Sequence, residues 1–358
     1  MDVDTKIKLI NRNVVELITL EELKNKLING EKLKGYLGFE PSGLFHIGWL
    51  IWALKYRDLV NSGIEMYLLE ATWHAWINDK LGGDIDLIRA AANHVVSVLK
   101  NVGIDVSKIK IVDAEELVSD KDYWNILIRV AKSVSLARVK RALTIMGRKS
   151  EEGETDFSKL IYPLMQVTDI FYLDLDVALG GLDQRKAHML ARDVAEKLGF
   201  KKPIAIHTPL LTSLQGVSRM DIKDELDEVL SDTKMSKSRP ESAIFVTDTD
   251  ESIRSKIMNA YCPPRQTEFN PVMEIAKYII FYEEPKRLVI ERPSKYGGPL
   301  EVTTYKELED IYLSGSLHPL DLKSAVARHV IDFIKPIREN VLKESRDTIS
   351  KISSYISR

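Results

Sequence analysis

The 358-residue chain has a single cysteine, Cys262, so no internal disulfide can form. A chain of this length buries about three-quarters of the surface it exposes when unfolded, so neither a disulfide nor a structural metal is required to hold it together. No apolar run approaches the ~20 residues of a membrane span. The opening Met1-Asp-Val-Asp-Thr-Lys6 carries acids and lacks the roughly 7 to 15 apolar residues of a secretory leader, so the expectation is a cytoplasmic protein. Charge of one sign is lacking too. Lys+Arg 51 against Asp+Glu 53 gives a formal charge of -2, which excludes a global basic field and confines any nucleic-acid partner to local patches. Repeats and low-complexity tracts are absent, and 44% hydrophobic with 29% charged residues excludes a disordered or collagen-like chain. At about 150 residues per domain, two domains are expected.

What is present is an alternation of strand and helix patterns. Tyr36-Leu-Gly-Phe-Glu40 is a short apolar run that stops at Pro41-Ser-Gly43. From 45 to 60, Ile47, Leu50, Ile51, Leu54 and Leu59 recur at near-helical spacing before Asn61-Ser-Gly63. A strand is expected over 64–69, a helix over 84–100 and a strand over 109–112. Two helices are expected within 120–149. After the polar stretch 150–156 the pattern resumes with a helix over 160–172, a strand over 177–179, a helix over 182–198 and a strand over 204–206. This predicts an α/β fold with a Rossmann-like parallel sheet, whose ligands sit at the carboxyl ends of the strands. From about residue 262 helical patterns take over, at 271–281, 305–312 and 319–344, which predicts a separate all-helical C-terminal domain. The acidic stretch 221–232 reads as a loop or a short surface helix.

Two segments carry phosphate chemistry in their residue types. The turn Pro41-Ser-Gly-Leu-Phe-His46-Ile-Gly48 joins the first strand to its helix, where backbone N–H groups and the helix dipole favour an anion. Either Gly43 and Gly48 leave room for a ligand and His46 donates to a phosphate, or the glycines serve the turn and His46 caps the helix. Thr233-Lys-Met-Ser-Lys-Ser238 sets two flexible ammonium groups three residues apart among small hydroxyl residues, which suits a polyphosphate. Alone such a run is usually a solvated loop. Both segments in one nucleotide-type sheet favour the ligand reading.

His46-Ile-Gly-Trp49 and Lys234-Met-Ser-Lys-Ser238 resemble the HIGH and KMSKS signatures of class I aminoacyl-tRNA synthetases. Gly38-Phe-Glu-Pro-Ser-Gly43, Tyr162-Pro-Leu-Met-Gln166 and Gly180-Gly-Leu-Asp-Gln-Arg-Lys186 resemble the archaeal and eukaryotic type of tyrosyl-tRNA synthetase, over about 30–340. Several motifs in the right order are far more specific than either signature alone. The chain departs from the pattern at Trp49, where the signature has a second histidine, and at Thr72, where the family usually has an aspartate.

The resemblance implies a tyrosine–tRNA ligase that uses ATP and Mg²⁺, acts on L-tyrosine and tRNA(Tyr), and forms a homodimer. It implies a catalytic domain over 1–230 with a helical dimer-interface insertion at about 115–160, a KMSKS loop and linker over 231–261, and a helical anticodon-binding domain over 262–358. It assigns His46, Lys234 and Lys237 to catalysis, and Gly43, His46, Gly48, Lys234, Met235, Ser236 and Lys237 to ATP. It assigns Tyr36 and Asp169 to the substrate phenol and Tyr162, Gln166 and Gln184 to its α-amino group. The chemistry of the first pair suits the task, because a phenol both donates and accepts whereas an indole only donates. On a helix Tyr162, Gln166 and Asp169 fall at i, i+4 and i+7 and share a face; a polar stripe there is better explained by a ligand than by a core. Between Lys132 and Lys149 lie Arg138, Lys140, Arg141 and Arg148 with no acid among them, either a solvated helix face or a phosphate-backbone site. The resemblance places Arg141, Arg185 and Lys186 at the tRNA acceptor end. It places Tyr296, His318 and Asp321 at the first anticodon base, where stacking plus edge hydrogen bonds is the usual way to read a single strand.

Overall fold

The computed structural model describes residues 1–143, 156–216, 233–236 and 240–356. Lys237, Ser238, Arg148, Lys149 and the acidic stretch 221–232 lie outside the described residues. The chain divides into two compact units: 1–43 with 52–209 and 347–358, and 44–51 with 210–346. Among the described residues no helix is long and apolar enough to cross a membrane.

The first unit is built on a six-stranded sheet of β1 (Glu16–Ile18), β2 (Lys34–Phe39), β3 (Glu65–Glu70), β4 (Lys110–Asp113), β5 (Val177–Gly181) and β6 (Ile204–Thr208), in the order β1-β6-β5-β2-β3-β4. Five of these strands run parallel, and β1 pairs antiparallel with β6. β1 adds an antiparallel edge to the expected parallel sheet; its three residues are too few to show alternation, and pairing with β6 makes it a strand. Chain order reverses between β2 and β5, whose carboxyl ends therefore open a crevice of the kind in which α/β sheets hold ligands.

The helices of this unit are α1 (Val3–Asn11), α2 (Leu20–Ile28), α3 (Leu50–Asn61), α4 (Thr72–Ile77), α5 (Ile85–Asn101), α6 (Ala114–Val118), α7 (Lys121–Ser133), α8 (Leu136–Ala142), α9 (Ser158–Tyr172) and α10 (Arg185–Leu198). Their starts follow local chemistry. Thr19 and Glu22 form a capping box on α2, and Asp84 accepts from the amides of Asp86 and Leu87 to start α5. Leu127 and Val130 of α7, Val167 and Ile170 of α9 and Leu190 and Ala191 of α10 share one buried cluster with Ala178 of β5. Each large apolar side chain buried this way contributes roughly 1.5 to 3 kcal/mol, so α9 is held as a fixed platform.

In the second unit the turn 44–51 joins a mostly helical region with helices Asp250–Asn259, Pro271–Ile275 and Tyr305–Ser314. A fourth helix, Pro319–Ile356, starts in this unit and breaks its helical dihedrals at Ser345. The expected all-helical character is modified by an antiparallel strand pair, β7 (Leu288–Ile290) with β8 (Leu300–Val302). Its three-residue strands are too short for periodicity to show them; the turn Ser294–Tyr296 and the Gly297-Gly-Pro299 run that follow mark the reversal.

Candidate active site

In the first unit the expected polar face of α9 turns inward, with Tyr162 and Asp169 buried and Gln166 half-buried. Tyr36 on β2 and Asp169 on α9 are each 1% exposed. Burial first, then the Asp169 carboxylate, pushes the Tyr36 phenol well above the ordinary tyrosine range, so it stays protonated and able to donate. Gln166 donates through Nε2 to Gln184 Oε1 at 3.2 Å, which joins α9 to the turn between β5 and α10. Burial, and then Glu40, likewise raises the Tyr162 phenol, whose hydroxyl bonds that carboxylate. Glu40 follows β2 directly; Asn78 donates to its Oε1 at 2.9 Å and Lys80 Nζ lies 3.5 Å from its Oε2. The five expected tyrosine-site residues thus lie on β2, on α9 and in the turn after β5.

Three residues of this cluster were not singled out by the sequence. Tyr123 on α7 donates to Asp169 Oδ1 at 2.8 Å. His74 on α4 brings Nε2 to 3.0 Å from Asp169 Oδ2. Glu40 lies inside a recognised motif, but its bond to Tyr162 depends on the fold. Thr72 donates its hydroxyl to Asp113, so the position that lacks the family's carboxylate is bonded to one from β4. Gly180 is required by close approach: an added Cβ would lie 2.9 Å from Gln184 Cβ and 3.0 Å from His188 Cε1.

In the second unit the two signatures share a framework. His46 forms a β-bridge with Phe245, Ile47 donates its amide to Ile244 O at 2.8 Å, and Val246 donates to Phe45 O at 3.0 Å. His46 is buried, and its ring stands 5.5 Å from the Trp49 ring, so the residue that departs from the signature packs on the histidine that is kept. Lys234 bridges Thr212, and Met235 donates to Leu211 O at 2.7 Å. Glu274 fixes that strand-like segment by accepting from the amide and hydroxyl of Thr212 at 2.7 and 2.9 Å. Gly48 connects the halves: an added Cβ would lie 3.0 Å from His46 Nδ1 and 3.5 Å from Met235 Cβ. Ser236 is half-buried beside Met235. Gly43, the last residue of the first unit before this turn, adopts φ +136°.

The residues expected at nucleic acid are distributed over both units. Arg141 is exposed in the last turn of α8, and Lys186 is half-buried at the start of α10. Arg185 makes a bidentate pair with Glu16, Nε to Oε2 at 2.8 Å and Nη2 to Oε1 at 3.0 Å, and Glu16 also meets His207 Nδ1 at 2.9 Å. Arg138 of the basic run pairs with Asp193. In the second unit Tyr296 is 62% exposed, and His318 accepts the Leu320 amide at 3.2 Å just before Asp321. Arg292 ties these segments together, donating to Gly298 O at 2.9 Å and to Ser316 O at 3.0 Å.

The family model for class I tRNA synthetases of the tryptophan and tyrosine type matches residues 28–221 and 224–335. A tyrosine–tRNA ligase from Aeropyrum pernix is 62% identical over 343 residues, 96% of this chain and 94% of that protein. The chain belongs to the tyrosyl-tRNA synthetase family. A tyrosyl-tRNA synthetase from Pyrococcus horikoshii, solved in complex with L-tyrosine, superimposes with a TM-score of 0.90 at 40% identity, covering 99% of this chain and all of that one. A tryptophanyl-tRNA synthetase from Aeropyrum pernix shares the fold, with a TM-score of 0.69 at 19% identity over 93% of this chain and 84% of that one. The synthetase fold thus extends to the tryptophan enzymes, whereas high sequence identity falls with the tyrosine ones.

Proposed function

We propose that the chain activates L-tyrosine with ATP and transfers the tyrosyl group to the 3′ end of tRNA(Tyr). The observation that carries this reading is the burial of a carboxylate acceptor, Asp169, near enough to a phenol donor, Tyr36, to raise that phenol. A substrate phenol satisfies both groups, and an indole leaves the donor unmatched. In the first step a carboxylate oxygen of tyrosine attacks the α-phosphorus of ATP. The bond from that phosphorus to the bridging oxygen breaks, and pyrophosphate leaves with its electron pair. Tyr162, Gln166 and Gln184 hold the α-amino group. Gly43, Gly48, Met235 and Ser236 shape the nucleotide site, while His46, Lys234 and Lys237 stabilise charge that develops on the phosphates. In the second step a ribose hydroxyl of the tRNA attacks the activated carbonyl and AMP leaves.

Mg²⁺ enters as the counter-ion of the ATP phosphates, neutralising their charge. Arg141, Arg185 and Lys186 contact the acceptor end of the tRNA, and Tyr296, His318 and Asp321, within an anticodon-binding region over 262–358, read its first anticodon base. The homodimer contact lies on the helical insertion, where Trp124, Ile128 and Leu136 are exposed. The chain works in the cytoplasm, beside its tRNA.

ATP–pyrophosphate exchange measured with tyrosine, tryptophan and no amino acid tests the reading. Exchange dependent on tyrosine is expected. Exchange that follows tryptophan, or that occurs with neither amino acid, overturns it.

A further inference from the structure

Asp169 is a buried carboxylate, and its oxygens need partners because an unsatisfied charge in such a place is costly. Tyr123 satisfies Oδ1. At Oδ2 stands His74 Nε2, 3.0 Å away but not along a hydrogen-bond direction, and neither ring nitrogen of His74 has a hydrogen-bond partner among the described residues. His74 itself is 2% exposed. A buried imidazole with two uncommitted nitrogens beside a carboxylate needs a reason.

The geometry around His74 supplies one. Its helix α4 is anchored at the start, where Thr72 bonds Asp113 and Trp73 Nε1 donates to Glu115 Oε2 at 2.7 Å. Its ring meets that of Tyr162 edge-on, centroids 5.1 Å apart at 89°. His74 therefore touches the residue assigned to the phenol end of the substrate and one assigned to the amino end. At 3.0 Å, Nε2 is within hydrogen-bond distance of Oδ2, and only the direction is lacking.

We propose that His74 is a positioning residue for tyrosine selection, completing its bond to Asp169 when the substrate phenol engages that carboxylate; this rests on the reading of Asp169 as the phenol acceptor. Phenylalanine, without a hydroxyl, gives the carboxylate no cause to align and leaves both His74 and Tyr36 unmatched. His74 thereby contributes to the discrimination without touching the reacting atoms.

The test is the ratio of kcat/KM for tyrosine and phenylalanine in ATP–pyrophosphate exchange. His74→Leu should lower the ratio by about 10- to 100-fold, the range expected for losing a hydrogen bond to a charged group, mainly through a higher KM for tyrosine. The value for phenylalanine should stay within about threefold. His74→Gln, whose amide reaches the same oxygen, should recover part of the ratio. In an Asp169→Asn background His74→Leu should have no further effect, because its action passes through that carboxylate. Should His74→Leu fail to fold, His74→Asn carries the same test, since its amide matches the Nδ1 position and cannot reach Oδ2. Equal loss for both amino acids assigns His74 to the fold and overturns the proposal. An unchanged ratio also overturns it, and Asp169→Asn then separates two failures. If Asp169→Asn lowers the ratio, the phenol reading stands and only His74's part falls. If it does not, both fall together.

Discussion

Glu70 and Asp113 are register partners at the carboxyl ends of the parallel strands β3 and β4. Burial and then the Asp113 and Glu116 carboxylates push Glu70 up to about 7 from an ordinary value near 4.5. The native state therefore holds this proton more tightly than the unfolded chain. Its contribution to stability is complete below about pH 4.5 and is lost as pH rises through about 7. Glu70→Gln removes the charge and with it the loss. Discounted for solvent at a half-buried site, the variant should gain on the order of 1 to 2 kcal/mol at pH 8 and much less at pH 5. Urea unfolding at both pH values measures this, and an equal gain at each would show that the effect is not electrostatic.

Gly48 sits where an added Cβ would press on the buried His46 ring. The backbone of His46 is pinned by its bridge to Phe245, so the ring has to move. Gly48→Ala should slow tyrosyl-adenylate formation by about 10²- to 10³-fold, the usual cost of misplacing one group that stabilises a transition state. Tyrosine affinity should stay within about twofold. Single-turnover kinetics with an equilibrium titration separates the two effects, and wild-type kinetics in the variant would remove His46 from the phosphate chemistry.

Legibility followed sequence distance. β2, β3, β5 and β6 are short apolar runs bounded by turn residues, and they stand close to where those runs predict. β1 was not legible, because Glu16–Ile18 is a strand only through its pairing with β6, and Glu16 itself is held by Arg185 and His207. On α9 the 3.6-residue period alone aligned Tyr162, Gln166 and Asp169. Tyr123 and His74 reach Asp169 from other helices, so no periodicity or motif points to them. Gly43 and Gly48 were legible as small residues in a strand-to-helix turn. That Gly48 lies between His46 and Met235 became visible only in three dimensions.

Tyr162 bonds Glu40 through its hydroxyl and packs on His74 through its ring. Tyr162→Phe keeps the ring contact and removes the hydroxyl. The KM for tyrosine should rise about 10-fold with kcat within about threefold, as for the loss of one hydrogen bond near a charged group. Glu40→Gln should act in the same direction, since a neutral amide holds that hydroxyl less firmly. Steady-state exchange kinetics decides the matter. A fall in kcat with no change in KM would move Tyr162 from substrate binding to the chemical step.

Arg141 and Lys186 differ from the amino-acid cluster in chemistry, each offering a cation. Arg141 is exposed at the end of α8, in a run of cations without acids, and Lys186 opens α10 directly after Arg185. Arg185 is engaged in a bidentate pair with Glu16, so its replacement disturbs the anchoring of β1 as well as any contact to nucleic acid. Arg141→Ala and Lys186→Ala are the probes used. Each should leave tyrosine-dependent ATP–pyrophosphate exchange within about twofold and lower tRNA charging about 10-fold at low salt. A phosphate contact releases counterions on binding, so each lost contact should flatten the slope of log affinity against log salt by about 0.7 to 0.9. The deficit relative to wild type should therefore shrink as salt rises. Charging assays and tRNA binding across a salt series measure both quantities. A deficit that is constant with salt would mean the side chains act through packing. Equal loss in exchange and charging would place them in the adenylate chemistry instead.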